Sequence, residues 1–303
     1  MPKRSTWTWD QAPAVLYAER NVARDVKLSR CPDQAVQKCG QPLHTGEIKD
    51  ALRWQWPGDA DDRVFLVPAD LLEIVKPSLP LSRDLIIVVG HLFRIQHYPE
   101  NRMIETSFRQ LTELLALEWA GGKTVEALDN ALTLARWLTI KNYPVIRKLY
   151  PNGQVKELSH DTVGFIDRVS RIVIRNGKEI PANKQPLEIY LSETYALAIK
   201  KLPAAPIPIT ALEVAHKAPR RIRTPIKNLA LYLASRVPLQ QVILSKEKLA
   251  DILGYTNLRN DKFLPAAERV LKALHPVMVN DFTLTKEKTE IVLAGKYQEI
   301  KNS

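Results

Sequence analysis

Two stretches of this sequence, on either side of a proline-rich segment, follow the same order: helix, helix, turn, helix, then β-hairpin. That repetition narrows the possible folds more than any composition figure. In the first stretch "SRDLIIVVGHLFRI" (Ser82 to Ile95) reads as a buried helix capped by Ser82. "SFRQLTELLAL" follows, with Ser107 and Gln110 spaced as a capping box and Phe108, Leu111, Leu114 and Leu115 on one apolar stripe. After Gly121-Gly122, "TVEALDNALTLARWL" places Val125, Leu128, Leu132 and Ala135 on one face. "LTIKNYPVIRKLY" reads as a strand turned at Asn152-Gly153, "RIVIRNGKEI" as a second pair turned at Asn176-Gly177, and "LEIYLSE" as a last strand before a short helix. In the second stretch "TPIKNLALYLASRV" is a helix with Pro225 in its first turn, and "VIL" is a short strand. "SKEKLADILG" is a helix opened by Ser245 and closed by Gly254; "DKFLPAAERVLKALH" is a helix opened by Asp261; "VMVNDFTLTKEKTEIVLAG" is a hairpin.

This is the order of a winged helix, so the expected fold class is α+β: two tandem winged-helix domains at residues 61–201 and 217–303. "LPAAPIPIT" predicts a Pro-rich linker at 202–216. Residues 1–60, where Trp7, Trp9, Trp54 and Trp56 stand among Pro, Asp and Gly, predict an irregular N-terminal arm with little core of its own.

Gly121-Gly122-Lys123-Thr124 matches the ending of a phosphate-binding P-loop. That motif needs a glycine five residues earlier, where Leu117 stands, and a strand feeding into it, where the pattern is helical. The glycines instead predict a chain reversal between helices. Other chemistry is equally thin. Cys31, Cys39 and His44 match no zinc spacing, and Asp59, Asp61 and Asp62 predict an acidic turn. "HLFR" (His91 to Arg94) lies on an apolar helix, and no His-x-His occurs. No catalysis, cofactor or metal is expected. No run of 18 apolar residues occurs and the N-terminus lacks the apolar core of a signal peptide, so a cytoplasmic protein without membrane contact is expected.

Charge points to the partner. The net charge of the 303 residues is +11. Lys217 to Lys272 hold twelve Lys or Arg against four Asp or Glu, and Lys141 to Glu179 hold eight against four. Excess concentrated in this way implies a polyanion, most simply double-stranded DNA. In the first candidate recognition helix, Lys123 and Thr124 begin the helix and Glu126, Asn130 and Thr133 lie opposite the apolar stripe. Asn130 suits an adenine edge and Thr133 a thymine methyl. Lys141, Arg147 and Lys148 follow on the strand. In the second, Lys262, Arg269 and Lys272 oppose Phe263, Ala267, Val270, Leu271 and Leu274, with Arg259 and Asn260 just before the helix. Arg220, Arg221 and Arg223 in "PRRIRTPIK" suit phosphate contact.

From Asp62 to Gly295 the pattern resembles bacterial plasmid replication initiators of the RepA-like and TrfA-like type. The resemblance rests on "SFRQLTELLAL…TVEALDNALTLARWLTI", on "LEIYLSETYALAIKKL", and on "TPIKNLALYLASRV…SKEKLADILG…LPAAERVLKAL". It implies binding to repeated origin sites, opening of the adjacent duplex, recruitment of host replication proteins, and a homodimer that represses its own gene. The alternatives are a tandem winged-helix transcriptional regulator and a non-catalytic DNA-binding subunit of a mobile-element machine.

Overall fold

The computed structural model describes residues 5–10, 15–32, 35–56, 62–149, 155–181, 184–202, 204–255 and 259–299. Along the chain, β1 (Ser5–Thr8), β2 (Val15–Glu19) and α1 (Arg20–Arg24) come first, then β3 (Val36–Pro42), β4 (Ile48–Gln55) and β5 (Val64–Pro68). The middle holds α2 (Leu72–Ile95), β6 (Met103–Ser107), α3 (Phe108–Leu114), α4 (Gly122–Trp137), β7 (Thr139–Leu149) and β8 (Val155–Val163). It continues with β9 (Ile166–Arg171), the short β10 (Ile174–Arg175) and β11 (Lys178–Glu179), β12 (Pro186–Leu191) and α5 (Glu193–Lys201). Then follow β13 (Ala204–Pro208), α6 (Ile209–Lys217), α7 (Arg220–Ser235), β14 (Gln241–Ser245) and α8 (Lys246–Leu253). Last are α9 (Asn260–Leu274), β15 (Val279–Leu284), β16 (Lys288–Leu293) and β17 (Lys296–Glu299). The fold is α+β with several small antiparallel sheets.

The chain divides into two compact units. A central unit comprises Lys27–Glu113 and Glu118–Leu202; a terminal unit comprises Met1–Val26, Leu114–Leu117 and Pro203–Ser303. In the central unit α2 is buried almost all round from Ser82 to Phe93 and packs on α4 and α5. Gly90 lets α5 approach: a Cβ there would stand 2.7 Å from the Tyr195 hydroxyl, which donates to the Ile86 carbonyl at 2.9 Å. Ser82 is not a cap but a buried mid-helix residue, because α2 starts ten residues earlier at Leu72 and runs through Pro77 and Pro80. Pro77 and Pro80 are its sixth and ninth residues, so each removes one i→i−4 hydrogen bond, and the helix continues through both.

Each unit contains a three-stranded sheet, and the two sheets are built in step. In the central unit the order is β6-β12-β9, in the terminal unit β14-β16-β15. Ser107 faces Pro186 as Ser245 faces Lys288, and Leu187 faces Arg171 as Thr289 faces Leu284. Even the bulge is shared: Leu191 pairs with Ile166, skipping Asp167, and Leu293 pairs with Val279, skipping Asn280. Leu191 N–H donates to Arg102 and Leu293 N–H to Gln240, at 3.0 and 2.8 Å. Between first and second strand each unit has two helices, α3 and α4 or α8 and α9. Each pair is opened by a serine whose hydroxyl accepts a backbone N–H: Ser107 from Gln110 at 3.2 Å, Ser245 from Lys248 at 3.1 Å. Gly254, in the left-handed region, closes α8. Ser107→Ala and Ser245→Ala are each expected to cost about 1 kcal/mol, readable as lowered midpoints in urea unfolding.

Three expectations need correction. The segment at 202–216 is not an irregular linker: its described residues form β13, paired with β2, and helix α6. Prolines are tolerated because β13 belongs to a two-stranded sheet, where alternate N–H groups have no ladder partner to lose. The N-terminal 60 residues are not an arm without a core. β2 and α1 bury Leu16, Ala18, Val22 and Ala23, and Trp54 stacks on Phe65 at 5.6 Å. The hairpin β7-β8 does not join the three-stranded sheet. It completes a five-stranded sheet, β3-β4-β5-β7-β8, with strands of the supposed arm. Smaller shifts put Pro225 at the sixth residue of α7 and start α9 at Asn260. Asn152-Gly153, Asp59 and Asp61 lie outside the described residues, as does the side chain of Trp7. Among the described residues no helix is long and apolar enough to cross a membrane.

Candidate nucleic-acid interface

α4 begins at Gly122, and its N-cap Gly121 has φ 63° and ψ −130°, a conformation that side-chain-bearing residues rarely adopt. α3 and the irregular residues 117–120 precede it, so the feeding strand of a P-loop is replaced by a helix and a loop. Thr124 is buried, 8% exposed, and its hydroxyl accepts from the Ala120 N–H at 2.8 Å. It fastens the loop to the helix, so the Thr124 hydroxyl expected at a DNA contact is turned inward. The buried side of α4 is Thr124, Leu128, Ala131, Leu132, Leu134 and Ala135, while Val125 is only half-buried. Lys123 and Glu126 are exposed; Asn130 and Thr133 are half-buried. The remaining acid, Asp129, is occupied by an ion pair with Arg171.

α9 follows its periodicity closely. Phe263, Ala267, Val270, Leu271 and Leu274 are buried, and Lys262, Arg269 and Lys272 are exposed. Lys272 meets Glu268 at 2.7 Å and Arg259 meets Asp261 at 2.9 Å. Both are exposed pairs one turn or less apart, worth little in water and easily exchanged for a phosphate. Burial raises the Tyr255 hydroxyl above its ordinary pKa and the Arg269 charge pulls it down. Tyr255 also stacks edge-on against Phe263 of α9 at 6.2 Å. Superposing the buried positions of α4 and α9 (Leu128 on Ala267, Leu132 on Leu271, Ala135 on Leu274) brings Lys123 onto Lys262, Asn130 onto Arg269 and Thr133 onto Lys272. The two faces therefore offer side chains at matching positions, with the terminal unit's more cationic.

The other sequence candidates fall as follows. Arg220, Arg221 and Arg223 are exposed on the first turn of α7, where Arg223 Nε donates to the Ala218 carbonyl at 2.8 Å. Lys141 is half-buried on β7. The side chains of Arg147, Lys148 and Asn260 lie outside the described residues. Outside the sequence candidates lies the tip of the β10-β11 hairpin, where exposed Arg175 and Lys178 face one another across the Asn176-Gly177 turn. Both turn residues have positive φ, 51° and 71°. A cation on each side of an Asn-Gly pair was the available signal.

No protein-family model matches the chain, and no curated protein matches it. Solved structures similar to it include crystals of domains 2 and 3 of RctB. Selenomethionine derivatives of these two domains align with a TM-score of 0.47 and 11% identity, covering 91% of this chain and 98% of that one. A second crystal structure of RctB domains 2-3 aligns with a TM-score of 0.42 and 9% identity, covering 88% of this chain and 95% of that one.

Proposed function

We propose that the two units are winged-helix modules that bind double-stranded DNA, each laying its second helix, α4 or α9, in a major groove. The chain as a whole is a non-catalytic replication initiator of a plasmid or mobile element. The observation that carries the DNA reading is the duplicated sheet register with α4 and α9 mounted alike and presenting side chains at matching outward positions. Arg269 is assigned to a base edge, since its planar fork matches the two acceptors of guanine, and Asn130 to adenine. Lys123, Lys262, Lys272, Arg220, Arg221 and Arg223 are assigned to phosphates, and the β10-β11 hairpin to a wing. Initiation, as opposed to regulation, rests on the resemblance of the sequence to plasmid initiators.

The test is footprinting and salt titration of the full chain on its own genomic neighbourhood. Repeated direct sites beside an A·T-rich tract support initiation, and a single palindrome supports repression. Contact with about six phosphates gives a slope of log affinity against log salt of about −5. A slope near zero overturns the nucleic-acid reading.

A further inference from the structure

One face of the five-stranded sheet in the central unit is ringed by cations that the groove-binding helices do not include. Directly opposed residues of an antiparallel ladder share a face, and every second residue of a strand returns to it. Lys38 is opposite Ala51, Arg53 is opposite Leu66, and Lys141 is opposite Val64, which is itself opposite Gln55. Lys38, Arg53 and Lys141 therefore lie on one face, brought there by three different strands, with Lys49 on it by alternation along β4. β4, β5 and the start of β7 contribute no carboxylate to this face; Asp50 belongs to the opposite parity and accepts from the Gly40 N–H. Glu47 neutralises Lys49 at 3.2 Å. Lys38, Arg53 and Lys141 have no carboxylate partner among the described residues.

The centre of this face is already filled. Leu43, Ala51 and Leu66 form a buried cluster against which Val64 and Trp137 pack. Trp137 is the last residue of α4, with the Lys49 ammonium 3.9 Å from its ring and the Arg136 guanidinium 4.8 Å away. At 100° per residue, Lys123, Asn130 and Trp137 fall on one stripe of α4 within about 40° of each other. The stripe that carries the candidate base contact thus ends against the cationic sheet face.

We propose that this face is an auxiliary surface for the backbone of the same duplex that α4 enters: phosphates flanking the groove site lie against Lys38, Arg53 and Lys141. The inference rests on the reading of α4 as a groove-binding helix. Charge decides the occupant. Trp137 fills the apolar centre, which leaves a rim of cations without an open hydrophobic slot for a protein partner. Strand geometry spaces the Cα atoms of Lys38 and Arg53 about 8 Å apart, and those of Arg53 and Lys141 about 12 Å. Three long side chains at those spacings can each take a separate phosphate.

The test uses the full chain and a duplex carrying the footprinted site, with affinity followed by fluorescence anisotropy across a salt series. The triple variant Lys38→Ser, Arg53→Ser, Lys141→Ser is expected to flatten the slope by two to three units, about 0.9 for each lost phosphate. It should also shorten the footprint at one edge and leave base preference unchanged. Arg53→Lys, which keeps the charge, should behave as the parent. Should the triple variant fail to fold, Lys38→Ser on the exposed strand β3 alone should flatten the slope by about one unit. A parent slope near zero would sink the reading of α4 and this proposal with it. A steep parent slope that the folded variants retain overturns this proposal alone. So does a flattening seen on the single strand of the same site and not on the duplex, which would assign the face to single-stranded nucleic acid.

Discussion

Trp9→Ala is expected to destabilise the terminal unit by about 3–5 kcal/mol, a large part of the 5–15 kcal/mol that holds a typical domain together. Trp9 is 2% exposed, and its indole N–H donates to the Pro206 carbonyl at 3.2 Å. It stands between two strands that both pair with distant parts of the chain. β1 pairs with β17 at the other terminus, and β2 pairs with β13. Removing the ring opens a large cavity and leaves a buried carbonyl without its donor, and these costs add. The adjoining helix α1 is held by the same segment: Glu19, 3% exposed, accepts from both the Asn21 and Val22 N–H groups at 2.9 Å. The measurement is urea unfolding of the full chain, with the DNA binding proposed for α9 followed in parallel. Trp9→Ala should lower the unfolding midpoint and weaken the binding proposed for α9, while Trp9→Phe should recover much of the stability. If Trp9→Ala unfolds like the parent, the first 26 residues are no part of the terminal unit's core.

The same segment explains what the sequence could and could not reveal. α8 and α9 were legible because their information is local. Ser245 and Gly254 mark the ends of one, and the period of Phe263, Ala267, Val270, Leu271 and Leu274 fixes the phase of the other. The β10-β11 hairpin was legible from Asn176-Gly177 for the same reason. The pairing of β2 with β13 joins Tyr17 to Pro206, partners that no local pattern connects. A proline-rich strand with a remote partner reads as a linker, and a short strand close to Trp7 and Trp9, among Pro and Asp, reads as part of an arm. β7 reads locally as a strand, but its neighbour β5 comes from before α2, so no local pattern shows which sheet it joins. At the candidate interface the helical faces of α4 and α9 could be drawn from periodicity. Lys38 and Arg53 could not be placed, because short strands of mixed residues do not declare which face is outward. Nor does periodicity reveal that the Thr124 hydroxyl serves the preceding loop.

Replacing Lys262, Arg269 and Lys272 together by alanine is expected to lower affinity for cognate DNA by about 3–5 kcal/mol, roughly 150-fold to 5,000-fold, in 0.15 M salt. The figure is built from its parts. A phosphate contact with a slope of about −0.9 contributes about 1 kcal/mol at that salt, so Lys262 and Lys272 account for about 2. A bidentate arginine on guanine adds about 1–3 kcal/mol of preference for the right base. All three side chains are exposed, so truncation opens no cavity and stability should change by no more than about 0.5 kcal/mol. The exposed pair of Lys272 with Glu268 changes that little. The parts are separable. Lys262→Ala and Lys272→Ala should weaken all sequences alike and each flatten the salt slope by about one. Arg269→Ala should relax preference at a single base position. Leu271→Ala is the phasing control: 0% exposed in the core of the terminal unit, it should cost about 2–5 kcal/mol of stability. A triple variant that binds cognate DNA like the parent, beside a Leu271→Ala variant destabilised as stated, would mean that α9 is phased correctly and that its outward face does not meet DNA.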